Sequence, residues 1–216
     1  MAAWVTFDCF GTLIDWNSGF ASILAPFARD KTPALLKAYH RFERLVETEK
    51  PHRSYKDVLV TSLLRAAGEV GASISRTQAQ SLPDSWSQLP VFADVEPMLT
   101  ALRGAHYRLG VLTNCDDDLF SRTQQAFARP FDMVVTAEQV RDYKPSLTHF
   151  RRFEHLASPD AWIHVACSWH HDIAPARQFG IKCIWLDRDG TGEDSAMASA
   201  RIQSAADVAA TIASLL

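Results

Sequence analysis

Asp8 follows the apolar run Trp4-Val5-Thr6-Phe7, and the turn Gly11-Thr12 comes three residues later. Thr113-Asn114 closes a second run, Leu109–Thr113; Lys144, in Tyr143-Lys144-Pro145, follows a third, Met133–Thr136; and Asp172 lies just past a fourth, Ile163–Ala166. A carboxylate such as Asp8 can attack an electrophile, and a lysine can hold the negative charge that gathers beside it. Taken singly, each has a plainer reading. A strand-end Asp serves as a helix N-cap, Thr-Asn suits a turn, and a lysine is ordinarily solvated. Together, at the exits of four strand-like runs, they suit one site, because ligands of a parallel α/β sheet bind outside the carboxyl ends of its strands.

The elements that must position these residues alternate in type. A fifth short run, Lys182–Leu186, joins the four above, and stretches with helical spacing lie between them at Val95–Gly104, Leu119–Ala128, Leu147–Ala157 and Ile173–Phe179. Strands alternating with helices predict an α/β fold with a Rossmann-like parallel sheet covered on both faces. Near-continuous apolar strands fit that burial. From Trp16 to Pro90 no strand run is convincing. Leu35, Tyr39, Phe42 and Val46 instead form a helical stripe, and Val58, Leu59, Ser62 and Leu63 form another. Residues 1–14 and 91–216 are therefore expected to form the core, with 15–90 an inserted helical cap. Asp187–Ser199, with two glycines and several charges, reads as a surface loop.

The chain has 216 residues, 47% of them hydrophobic, and a formal net charge of -3. That balance gives no electrostatic footprint for nucleic acid. No 18-residue apolar stretch suggests a membrane span, and the start lacks the pattern of a secretory leader. A cytoplasmic protein with a small-molecule partner is expected, and a homodimer is compatible with the sequence. Four scattered cysteines without a CxxC pair favour reduced thiols over disulfides or a metal site.

The order DxxGTL, TN, KP and then a strand ending before Asp172 resembles the haloacid dehalogenase superfamily, over essentially the whole chain. The resemblance implies Asp8 as nucleophile, Thr12 and Thr113 as hydrogen-bonding supports and Lys144 as the positive partner, and Asn114 and Asp172, which also match its motifs, complete the expected catalytic set. Most of that superfamily are Mg²⁺-dependent phosphatases with a second Asp two residues after the nucleophile, to protonate the leaving alkoxide. Here that residue is Phe10, and Cys167 stands where an acidic metal ligand usually begins the fourth motif. Without the acid and the ligand, phosphoryl transfer loses leaving-group protonation and charge neutralisation. An aromatic residue at position 10 resembles the 2-haloacid dehalogenases, which displace halide from carbon and then hydrolyse an aspartyl ester. No required metal is expected. Three alternatives stand beside this reading: a Mg²⁺-dependent phosphatase, a non-catalytic binding protein, and a ring-opening hydrolase resembling (S)-azetidine-2-carboxylate hydrolase. The last rests on TFDCFGTLIDW, Leu112-Thr113-Asn114-Cys115-Asp116 and His171-Asp172.

The resemblance to the dehalogenases is incomplete. Their Ser-Ser-Asn-x-x-Asp is Cys167-Ser168-Trp169-His170-His171-Asp172 here, and a tyrosine placed six residues after the lysine is Phe150. Phe10, Trp16, Ser168, Trp169 and His171 are expected to line the substrate. Trp169 is weighed against capping of the core, and Trp16 against packing at the cap hinge. His171 is either a base for water, given an imidazole pKa near about 6.5, or a structural hydrogen-bonding group. For the cation that binds a substrate carboxylate, Arg41 is preferred and Lys37 is the alternative. A solvated helix face is the plain reading of both.

Overall fold

The computed structural model of the protein describes residues 3–216. Six strands, β1 (Ala3–Phe7), β2 (Arg108–Thr113), β3 (Met133–Thr136), β4 (Ala161–Ala166), β5 (Lys182–Leu186) and β6 (Ala200–Ile202), form one sheet in the order β3-β2-β1-β4-β5-β6. Every neighbouring pair is parallel. Phe7 of the central β1 pairs with Val111 on one side and Val165 on the other. The register therefore brings the exits of β1, β2 and β4 level with one another.

The strands are sequestered as their composition requires. Trp4, Leu112, Val135, Trp162 and Trp185 pack with Phe150 and Phe153 of the helix Thr148–Ala157 in one apolar core. Gly110 leaves room for this: a Cβ there would sit 3.0 Å from Phe153 and 3.1 Å from Thr6. β6 and the helix Val208–Leu215 were not expected from the sequence. Three residues, Ala-Arg-Ile, carry no strand signal of their own; pairing with β5 makes them a strand. None of the four cysteines is in a disulfide, and no helix among the described residues is long and apolar enough to cross a membrane.

The chain divides into two compact units. The first holds the sheet and comprises the chain up to Ile14, Val91–Asn114 and Phe127–Leu216; the second comprises Asp15–Pro90 and Cys115–Ala126. Residues 115–126 thus join the helical insert, whereas the sequence reading kept them in the core. The cause is local bonding. The Asp116 carboxylate accepts from the backbone of Tyr55 (2.8 Å) and Lys56 (3.0 Å), Trp86 Nε1 donates to Thr123 Oγ1 at 3.0 Å, and Arg122 donates to the Pro83 carbonyl at 2.9 Å.

The second unit is built on α1 (Trp16–Ala28), α2 (Thr32–Thr48) and α3 (Tyr55–Val70). α3 starts at an Ser54 cap, whose side chain accepts from Asp57 N–H. The expected α2 stripe is shifted: Phe42 stays partly exposed, and Glu43 is buried beside Tyr39 and Val46. A buried carboxylate is costly unless hydrogen-bonded, and Glu43 Oε1 accepts from Tyr39 (2.9 Å) and Tyr55 (2.6 Å).

Candidate active site

β1 delivers Asp8 to the edge of the first unit. Its N–H donates to Val165 O at 3.1 Å, extending the ladder by one residue, and then the chain turns sharply. Gly11 sits at φ 94, where a side chain would be strained. Leu13 and Ile14 N–H both donate to Cys9 O, at 2.8 and 3.0 Å. This turn folds Thr12 back, so that its hydroxyl donates to Asp8 Oδ2 at 2.9 Å while accepting from Cys167 N–H at 2.9 Å. From behind, Arg188 donates to Thr12 O at 3.0 Å and is itself held by both oxygens of Asp94. Phe10 lies in the same turn, bridged to Ile14.

Lys144 is buried, and its ammonium uses all three protons. Nζ donates to Asp8 Oδ1 (2.8 Å), Asp172 Oδ1 (2.6 Å) and Leu112 O (2.9 Å). Asn114 fixes the lysine's backbone, accepting from Lys144 N–H at 2.8 Å and donating to Lys144 O at 3.1 Å. Thr113 is fully buried at the end of β2, and its carbonyl accepts from His149 Nε2 at 3.2 Å. Burial, then the nearby Lys144 charge, lower the His149 pKa to about 3, so the ring is neutral.

The two carboxylates differ. For Asp172, burial is outweighed by Lys144 and His164, and its pKa falls below the usual range. For Asp8, burial dominates and raises the pKa, with Lys144 opposing and Asp172 adding repulsion. Burial also works against the charge on Lys144, yet the two carboxylates overcome it and raise the lysine's pKa.

After β4 the chain enters a wide turn in which Asp172 and Ile173 N–H both donate to Ser168 O. Ser168 Oγ accepts from His171 N–H at 3.1 Å and lies 3.1 Å from His171 Nδ1, so the two side chains are also hydrogen-bonded to each other. Ser168 and His171 therefore brace the turn that presents Asp172. His170 packs edge-on against His171, with ring centroids 5.0 Å apart. Trp169 packs against the apolar core and donates from Nε1 to Asp194 O at 3.0 Å. Phe150, where the resemblance places a tyrosine, is wholly inside the core.

In the second unit, Trp16 packs edge-on against Phe20, Tyr39 and His40, at 5.2, 6.1 and 4.6 Å between centroids. Arg41 is turned elsewhere: it pairs with Glu69 and lies 5.0 Å above the Phe42 ring. Trp16 and Arg41 are thus not brought together, since residues 39 and 40 point one way from α2 and residue 41 another. Lys37 is exposed.

Two contributors escaped sequence reasoning. His164 stands in the middle of the buried β4, and an ionisable residue in an otherwise apolar strand was the available signal. Arg188 gave none, lying in a charged loop 176 residues from the Thr12 it holds. Among the described residues no group of three or more His, Cys, Asp or Glu side chains could hold a metal ion. The donor chemistry agrees. Asp8 and Asp172 each commit an oxygen to Lys144, and burial, followed by the Asp8 charge, pushes the Cys167 thiol up to about 12. Mg²⁺ requires oxygen ligands in near-octahedral array, and these residues do not fit it.

A carboxylate braced by a lysine and a threonine, with a second acid sharing the lysine, at the carboxyl edge of a parallel sheet with a helical insert after its first strand, defines a class of hydrolase. The chain belongs to the haloacid dehalogenase-like hydrolase family, whose pattern residues 5–186 match. Among solved structures it is similar to the L-2-haloacid dehalogenase RSc1362, with TM-score 0.88 and 21% identity over 98% of this chain and 99% of that one. The L-2-haloacid dehalogenase from Xanthobacter autotrophicus gives TM-score 0.87 and 14% identity, with both chains covered in full. The defluorinating L-2-haloacid dehalogenase Rha0230 gives 0.81 and 20%, over 98% of this chain and 95% of that one. At these identities the likeness is one of fold. No curated protein matches the sequence.

Proposed function

We propose that this protein hydrolyses small carboxylic acids that carry a leaving group on carbon 2. The observation that carries the reading is a buried carboxylate, Asp8, held by Lys144 and Thr12, with Phe10 where a proton donor for an alkoxide would stand. Lys144 opposes the burial of Asp8 and favours its ionised form. An Asp8 oxygen attacks carbon 2, the carbon–oxygen bond forms, and the leaving group departs with the bonding electrons. Halide needs no proton, so an aromatic residue at position 10 costs the reaction nothing. Water, giving a proton to Asp172, then adds to the Asp8 ester carbonyl. The ester's acyl carbon–oxygen bond breaks, Asp172 returns its proton to the departing alkoxide, and the 2-hydroxy acid leaves with the former Asp8 oxygen, while the re-formed Asp8 carboxyl, now holding the water oxygen, releases the second water proton to solvent. The names of the similar structures point to the same substrate class.

The test is a substrate panel: chloroacetate, fluoroacetate, both enantiomers of 2-chloropropionate, azetidine-2-carboxylate and p-nitrophenyl phosphate, each with and without EDTA. Halide release that is unaffected by EDTA is expected. Phosphate release that EDTA abolishes, with every acid untouched, would instead establish a metal-dependent phosphatase.

A further inference from the structure

β4 carries one residue that its burial does not call for. His164 is fully buried and pairs across the sheet with Thr6 of β1. Its Nδ1 lies 2.9 Å from Thr6 Oγ1, and its Nε2 lies 3.0 Å from Asp172 Oδ1. The neighbours decide which nitrogen bears the proton. An indole N–H can only donate, and Trp162 Nε1 donates to Thr6 Oγ1 at 2.7 Å. Thr6 Oγ1 accepts from Trp162 and can still either donate to or accept from Nδ1, so the decisive neighbour is Asp172, an ionised carboxylate that can only accept. Nε2 carries the proton and donates it to Asp172. Phe150 stands edge-on to the ring at 5.2 Å and closes off its side.

The consequence appears at Asp172. Oδ1 receives both Lys144 and His164, whereas Oδ2 is buried and has no hydrogen-bond partner among the described residues. A bare buried carboxylate oxygen is costly, so a carboxylate free to rotate would share its two donors between its oxygens. Two donors converging on one oxygen prevent that. We propose that His164 is a positioning residue for ester hydrolysis: with Lys144 it fixes Asp172 so that Oδ2 alone receives the proton of the attacking water. This rests on the hydrolase reading above. When Asp8 becomes an ester it loses its charge and its hold on Lys144 weakens, and His164 is then the donor that does not depend on the state of Asp8.

The experiment uses (S)-2-chloropropionate with wild type, His164→Leu and His164→Gln. Leucine fills the space without a donor, and glutamine retains an N–H close to the Nε2 position. For His164→Leu, a burst of about one chloride per enzyme should survive. Steady-state kcat should fall about 10- to 100-fold, part of the 10²–10⁴ that a positioned general base contributes. The Asp8 ester should accumulate and be visible by intact-protein mass. His164→Gln should recover most of the rate. Loss of burst and steady state together without ester, or unchanged turnover, would overturn the proposal. An independent arm records the ¹⁵N spectrum of the wild-type histidines. A proton on His164 Nε2 is expected; a ring protonated at Nδ1 alone would overturn the proposal without reference to any substrate. If wild type turns over no acid in the panel, it is the hydrolase reading that fails, and the ¹⁵N result still judges the assigned tautomer.

Discussion

Asp8→Asn is expected to lower turnover by about 10⁴-fold or more, the scale on which loss of a covalent nucleophile acts. The amide nearly matches the carboxylate in size and can still meet Thr12, so the turn at Gly11 should keep its shape and the loss should be chemical. Excess enzyme in oxygen-18 water distinguishes this mechanism from direct attack by water. In the first turnover the product should take unlabelled oxygen from Asp8, and the solvent label should appear in the Asp8 carboxylate. Solvent label in the first-turnover product would remove Asp8 from the role of nucleophile. The same carboxylate sets a pH dependence. Because burial raises its pKa, the acidic limb of kcat/KM should lie above the ordinary aspartate value of about 3.9, and activity should fall as pH drops through that raised value. A limb well below it would show that Lys144 outweighs burial.

Lys144→Met should cost both activity and stability. The substitution keeps the length of the stem and removes the charge that both carboxylates share. Stripping one partner from a buried ion pair typically costs about 3–5 kcal/mol, which urea melts would measure at pH 7. The sign of its pH dependence follows from the charges left behind. Asp8 and Asp172 then repel with no cation between them, so the folded state holds a proton more tightly than the unfolded chain. The folded pKa lies above the unfolded one, and stability is lost as pH rises through that interval. Acidification from pH 7 to about 5 should therefore stabilise the variant relative to wild type. A variant that loses stability on that acidification would mean that the two carboxylates do not share the lysine.

Much of this arrangement was legible because it depends on strand order. Asp8, Asn114 and Asp172 follow apolar runs, and a parallel sheet must bring such exits to one edge, so their proximity follows from alternation alone. The bonds among them were not legible. That Asn114 grips the backbone of Lys144 rather than the reacting groups depends on where the loop after β3 passes, which spacing does not encode. Phe42 and Glu43 exchanged places for a similar reason. Periodicity ranks side chains by hydrophobicity, and the two tyrosines that make Glu43 tolerable inside the second unit lie four and twelve residues away. Residues 115–126 fall in the alternating strand and helix pattern of the core, and nothing in that pattern shows that the Asp116 carboxylate caps the start of α3. Arg41 lies off the apolar stripe of α2, a position that suits a substrate-binding cation and equally suits the surface pair with Glu69 that it makes.

The thiol of Cys167 bears on a hazard particular to the proposed chemistry. A 2-halo acid is an alkylating reagent, and in free solution a cysteine thiolate is the side chain it modifies first. Here Cys167 is joined through its backbone to the threonine that holds Asp8, yet its thiol is pushed up to about 12 by burial and the Asp8 charge. At neutral pH almost none of it is thiolate. The carboxylate that attacks the electrophile also keeps the adjacent sulfur inert, and the other three cysteines are buried. Such a protein should survive its own substrates. Under excess iodoacetate at pH 7, peptide mapping should find carboxymethyl on Asp8, transiently, and none on Cys167; rapid labelling of Cys167 with loss of activity would contradict this. Raising the pH toward 10 should bring self-inactivation into view, as the thiol begins to ionise.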